Sequence, residues 1–219
     1  MKKVLSFFIA GLLAISSFAQ SDKYNSAMTG LVAAVDTTRS YTELVSLANS
    51  FERIGNAEKT QWLPFYYAAM ANINAAMTFA MDGSFGDKSS DIDPLADKAE
   101  ALLQKAEALS KDNSEIYIIK KMIASGRMMG NVMARYQQYG PIATAALETA
   151  KKLNPENPRI YVLEGQDLYF TPEQFGGDKN EAKKKFELAI AKFGTYKIES
   201  PLHPNWGLAQ TQYFLSEIK

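Results

Sequence analysis

Beyond Ser40, apolar residues recur at spacings of three and four, and short polar turns separate the runs. Ser40-Tyr-Thr-Glu43 reads as a capping box: the Ser side chain accepts from the amide three residues on, and the Glu reaches back. Leu44, Leu47, Ala48, Phe51 and Ile54 follow as one apolar stripe, and Gly55–Asn56 predicts the end of that helix. Asp93–Pro94 predicts an N-cap with Pro in the first helical position, heading Leu95, Ala99, Leu102, Leu103, Ala106 and Leu109. Asp112–Asn113 breaks that helix and the next begins at Ser114. Asn157–Pro158 repeats the cap-plus-Pro signal. Thr171–Gln174 and Asp178–Glu181 read as two more capping boxes, split by the stop Gly176–Gly177, with Phe175 as a core plug. Strand signals are nearly absent. The pattern predicts an all-α chain of about eight or nine helices with short connections, the spacing of antiparallel neighbours.

Two stretches carry no charge. The first follows Lys2 and Lys3 and runs from Val4 to Ala19, with Ser17 and Ala19 placed as small residues before Gln20. This is the layout of a signal peptide. It predicts cleavage after residue 19, a mature domain over 20–219, and export to the periplasm or beyond. The second, Thr60 to Met81, contains Pro64, Asn72, Asn74 and Thr78, which a bilayer would resist. It reads as a helix buried on most sides, so no stable membrane span is expected once the leader is gone.

Composition narrows the chemistry. There is no cysteine, which removes disulfides, thiolate catalysis and the acylated cysteine of a lipoprotein. The 24 basic and 24 acidic residues leave no positive excess to hold a nucleic-acid backbone. One histidine, His203, lies in a Pro-rich turn and reads as an exposed or capping residue. With one His and no Cys, a zinc site lacks its ligands. Asp82, Asp87, Asp91 and Asp93 share one Gly- and Ser-rich loop, but the EF-hand order is missing, and a solvated loop is the reading. Gly176–Gly177 is followed by Asp178 rather than the Lys-Ser/Thr of a phosphate loop. No cofactor is expected. Gly126 and Gly130 mark close helix approach, and Met122, Met128, Met129 and Met133 at helical spacing read as core filler.

The chain also repeats itself. Ala106–Tyr117 aligns without gaps on Ala150–Tyr161, 44 positions on, with Ala, Leu, Asn, Ile and Tyr coinciding at 106/150, 109/153, 113/157, 116/160 and 117/161. Ala182 to Phe193 supplies a third first helix. Small Ala permits close approach, Leu fills the next layer, and the Asn turn caps the second helix. Ala150-Lys-Lys-Leu-Asn-Pro resembles the turn between consecutive tetratricopeptide (TPR) units, at a period longer than the ~34 residues of a regular one. Phe51-Glu-Arg-Ile, Trp62–Ala69, Thr171–Gly177 and Pro204-Asn-Trp-Gly resemble exported bacterial TPR-like proteins of unassigned function. The resemblance implies a degenerate TPR-like α-α superhelix in the cell envelope and carries no catalytic residues.

Three functions compete. The favoured one is a non-enzymatic scaffold whose concave groove holds a protein or peptide partner, with Asn72, Arg127, Arg135 and Tyr139 as candidate groove residues. The alternative is a small ligand or glycan stacked on groove aromatics, which solvent-facing rings would support. A carboxylate-dependent hydrolase ranks last, because nothing pairs two acids across a cleft.

Overall fold

The computed structural model describes residues 22–81 and 86–218. The expected leader over 1–19, and Asp82 of the acidic loop, lie outside the described residues. Among those described the chain is all-helical. A helix over 22–37 (α1) is followed by α2 (Tyr41–Glu58), α3 (Trp62–Ala80), α4 (Ser89–Leu109), α5 (Ser114–Gly130), α6 (Val132–Leu153), α7 (Pro158–Phe170), α8 (Lys179–Thr195) and α9 (Leu208–Glu217). No described helix is long and apolar enough to cross a membrane.

α3 is the hub. It is uncharged and apolar on almost every side, so burial is its stable state. Thirteen of its 19 residues are buried, and α2, α4 and α5 all pack on it. α5 in turn packs on α6. α7 and α8 form a second close pair that α9 completes, while α6 touches α7 only slightly. Gly126 lets α5 approach α3: a Cβ there would lie 2.5 Å from Ile73.

The repeat holds in three dimensions. Asn113 and Asn157 are both N-caps, accepting from the amides of Glu115 and Arg159. Ala106 and Ala150 are both fully buried, and their carbonyls accept the C-cap amides of Ser110 and Asn154. Even the ion pairs repeat, with the charges exchanged. Lys120 reaches Glu107 at 2.6 Å, and at the equivalent positions Lys151 reaches Glu164 at 2.8 Å.

Several local expectations change. α2 runs past Gly55 to Glu58 and stops at Lys59, which takes a left-handed conformation. Gly55 is a contact residue instead, since a Cβ there would lie 2.7 Å from the Phe65 ring. Ser40 does cap α2, but Glu43 accepts from the Thr38 hydroxyl rather than reaching back to its cap. α4 starts at Ser89, placing Pro94 inside the helix and freeing Asp93 from capping. Asp178 caps α8 as expected, whereas Glu173–Phe175 is one 3-10 turn. Phe175 is 70% exposed and plugs no core, and Met133, at 92% exposed, is no core filler.

Candidate functional site

Two clusters concentrate the unusual chemistry, and they differ in what their rings face. The first is a buried polar network at the meeting of α3, α5 and α7. Arg159 donates from Nε to both Glu115 carboxylate oxygens at 3.0 Å, and a second guanidinium nitrogen also meets that carboxylate. Asn157 donates to Glu115 at 2.7 Å and the Tyr66 hydroxyl donates to it at 3.1 Å. Trp206 then donates to the Tyr66 oxygen at 2.9 Å. Burial opposes the charge on Arg159, but the adjoining carboxylate more than restores it, so the guanidinium is held more firmly protonated than usual. Burial, reinforced by Glu115, pushes the Tyr66 phenol well above its ordinary range and keeps it a neutral donor. Nη1 of Arg159 is buried without a hydrogen-bond partner, and the guanidinium lies 5.2 Å from the Tyr196 ring centre and 5.8 Å from that of Trp206. With Tyr67 donating to the Leu202 carbonyl at 2.9 Å, this network ties the segment before α9 across the core. It is a fastening, and two of its members, Glu115 and Tyr196, also border a cleft shared with His203.

The second cluster lies on α7, α8 and α9. Gly165 brings α7 against α8, because a Cβ there would meet the Phe186 ring at 2.5 Å. The turn after α7 is folded back hard: a side chain at Gly177 would collide with the Thr171 carbonyl, and Asp178 N donates to Leu168 O at 3.1 Å. Onto this frame the chain sets two Tyr-Phe doublets, Tyr169–Phe170 on α7 and Tyr213–Phe214 on α9, 44 positions apart. Gln166 and Gln210, related in the same way, are hydrogen-bonded at 3.0 Å and hold the two helices in register.

Neighbouring helical positions point about 100° apart, so each doublet offers one ring inward and one outward. Phe214 lies inward, stacked on Phe186 with ring centres 5.6 Å apart. Tyr169 is half-buried, 5.4 Å from Phe214 and 5.0 Å from Phe170. Phe170 and Tyr213 face water, each 59% exposed. Phe170 also meets Phe214 edge-on at 5.4 Å. The result is one connected aromatic cluster whose exposed rings, Phe170 and Tyr213, are both braced on buried Phe214. Lys179 Nζ stands over the Tyr169 ring at 5.5 Å.

The residues singled out from sequence fall elsewhere. Asn72 is buried within α3 and donates to the Ala68 carbonyl at 2.8 Å. Arg127 pairs with Asp97 and Glu100, both at 2.7 Å. Arg135 grips Asp93 through two 2.7 Å bonds and lies over Tyr139 at 6.0 Å. Arg127, Arg135 and Tyr139 gather at the α5–α6 end, away from the aromatic surface, and both guanidinium groups already hold carboxylates. Asp93 is thereby engaged, Asp87 accepts from Ser89 and Asn131, and among the described residues no group of three potential ligands could hold a metal ion. His203 contacts Ser200 at 2.8 Å through one ring nitrogen and Glu199 at 3.1 Å through the other. It borders a cleft of about 430 Å³ whose lining is mostly polar, including Lys111, Asp112, Asn154 and Glu199.

Sequence reasoning missed the α7–α9 surface, although the signal was available. A Tyr-Phe pair near the end of one predicted helix recurs in the last helix.

No protein-family model matches the chain, and no curated protein matches it. A solved structure does: the HusA haemophore from Porphyromonas gingivalis, at 35% sequence identity and a TM-score of 0.76, covering 90% of this chain and 92% of that one. The likeness overturns the expectation of a scaffold for a protein or peptide partner. The relative is a haemophore, and the arrangement of side chains agrees with the correction. The polar residues assigned to a partner groove are buried or paired, whereas aromatic rings face solvent, as the small-ligand alternative requires.

Proposed function

We propose that this chain, which belongs to the family of the HusA haemophore, captures haem by stacking the macrocycle on the α7–α9 aromatic surface. The observation that carries the reading is the pair of Tyr-Phe doublets, which leaves Phe170 and Tyr213 exposed on either side of buried Phe214. Haem is a flat, largely apolar disc with two carboxylates. Fixed aromatic rings offer it stacking and apolar burial at little cost in side-chain entropy. A contiguous apolar patch kept exposed on a folded domain marks a binding surface. The chain has no cysteine, and both ring nitrogens of its single histidine are engaged in a polar cleft, so neither offers a free ligand to the iron, and stacking on the exposed rings is the contact proposed. Function is binding rather than catalysis.

The rest of the molecule supports such a carrier. The repeated α4–α5 and α6–α7 turns belong to a helical frame that sets rings side by side. The leader read over 1–19 sends the domain out of the cytoplasm, where haem must be collected before uptake.

Titration of the folded domain with haemin, followed by absorbance, tests the reading. Phe170→Ala combined with Tyr213→Ala is expected to weaken haemin binding by at least tenfold, since stacking on one ring is worth about 1–3 kcal/mol in the analogous case of nucleic-acid bases. His203→Ala is expected to bind as wild type. Loss of binding in His203→Ala with full retention in the double variant would move the site to the polar cleft.

A further inference from the structure

Lys179 is the cation that the aromatic surface holds ready. In the same helix, Lys184, Lys185 and Lys192 each reach a carboxylate, at 2.6, 2.7 and 2.9 Å, and Lys183 meets neither a carboxylate nor a ring among the described residues. Among the described residues Lys179 has no carboxylate within salt-bridge distance, and it stands instead over the Tyr169 ring. The acids nearest to it in sequence are engaged elsewhere. The Asp178 side chain accepts from the amides of Asn180 and Glu181 to cap α8, and the Glu181 carboxylate holds Lys184. Lys179 is exposed, so its ammonium remains hydrated and able to swing. A flexible cation poised above one ring of a stacking surface can meet an anionic substituent at the edge of a disc lying on that surface.

Resting on the haem reading, we infer that Lys179 is a specificity residue that recognises a carboxylate at the edge of the stacked ligand, so that the surface selects acidic macrocycles over neutral ones. The ring faces supply affinity for any flat apolar disc, and Lys179 supplies the preference for charge.

Haemin and haemin dimethyl ester, whose carboxylates are neutral, are titrated into wild type, Lys179→Met and Lys179→Arg under one buffer. Wild type is expected to bind haemin about three- to tenfold more tightly than the diester, the range for one exposed charge-assisted contact. Lys179→Met is expected to lose that preference while holding the diester as wild type does, and Lys179→Arg to keep it. Higher salt should shrink the preference. Equal affinity of wild type for both ligands, or an equal loss for both in Lys179→Met, overturns the inference and leaves the stacking surface intact. If wild type binds neither ligand, the haem reading falls and takes the inference with it.

Discussion

Tyr66 and Trp206 in the core, and Tyr169 and Tyr213 on the α7–α9 surface, are the same kinds of residue put to opposite uses. In the core each polar tip is bonded: Trp206 to Tyr66, Tyr66 to Glu115, and Glu115 to Arg159. The rings act as spacers and the tips as fasteners. At the α7–α9 surface five rings on three helices form one connected cluster, in which Phe170 and Tyr213 are exposed. An aromatic residue that uses its polar tip internally has become structure. One whose face is fixed but uncovered is available to a ligand.

The comparison breaks most readily in the core. Glu115→Ala leaves the Arg159 guanidinium buried without its counter-charge, and removing one partner of such a pair costs about 3–5 kcal/mol. Urea unfolding should show a loss of that size, and this replacement is expected to harm the fold more than any change to the aromatic surface. The double change Phe170→Ala with Tyr213→Ala should behave inversely, cutting haemin affinity while shifting the unfolding midpoint little, because both rings are largely solvated already. A fall in stability rivalling that of Glu115→Ala would mean that the surface rings are structural and would dissolve the distinction. A finer probe is Tyr66→Phe. It keeps the ring but leaves the Trp206 N–H without its acceptor and Glu115 one donor short. A loss of about 1–3 kcal/mol is expected from the unmet buried groups, with haemin binding unchanged.

The sequence displayed whatever depends on neighbours along the chain. The Asn113 and Asn157 caps, the Asp178 cap and the uncharged run that becomes α3 were all readable, because capping and amphipathic periodicity are local. Errors arose where a distant contact decides. Gly55 looks like a helix stop, yet it is small because the Phe65 ring rests on it. Pro94 looks like a helix start, yet the helix begins five residues earlier and Asp93 turns to Arg135. Arg135 and Arg127 looked like groove residues because their carboxylate partners lie on another helix. The central pair was legible only through the repeat. Glu115 and Arg159 occupy equivalent positions just after equivalent caps, and opposite charges at equivalent positions of adjacent units are candidates to meet.

The smallest effect concerns the α5–α6 end, where Arg135 holds Asp93. The hydrogen bonds from Arg135 pull the Asp93 carboxyl below its ordinary range, so the folded state binds this proton less readily than the unfolded chain does. The sign follows from linkage. The contribution to stability is fully present above the unfolded value of about 3.9, and it fades as pH falls through the lower folded value. Asp93→Asn should therefore be slightly less stable than wild type at pH 7, and the gap between their urea midpoints should narrow by pH 3. The gap should be modest and should shrink in high salt, because both side chains are partly exposed. A gap that persists unchanged at pH 3 would assign the role of Asp93 to shape and neutral hydrogen bonding. A narrowing gap identifies the Arg135 pair as a local electrostatic clasp whose effect ends at its own helices, so haemin affinity at the far aromatic surface should be the same in Asp93→Asn as in wild type at neutral pH.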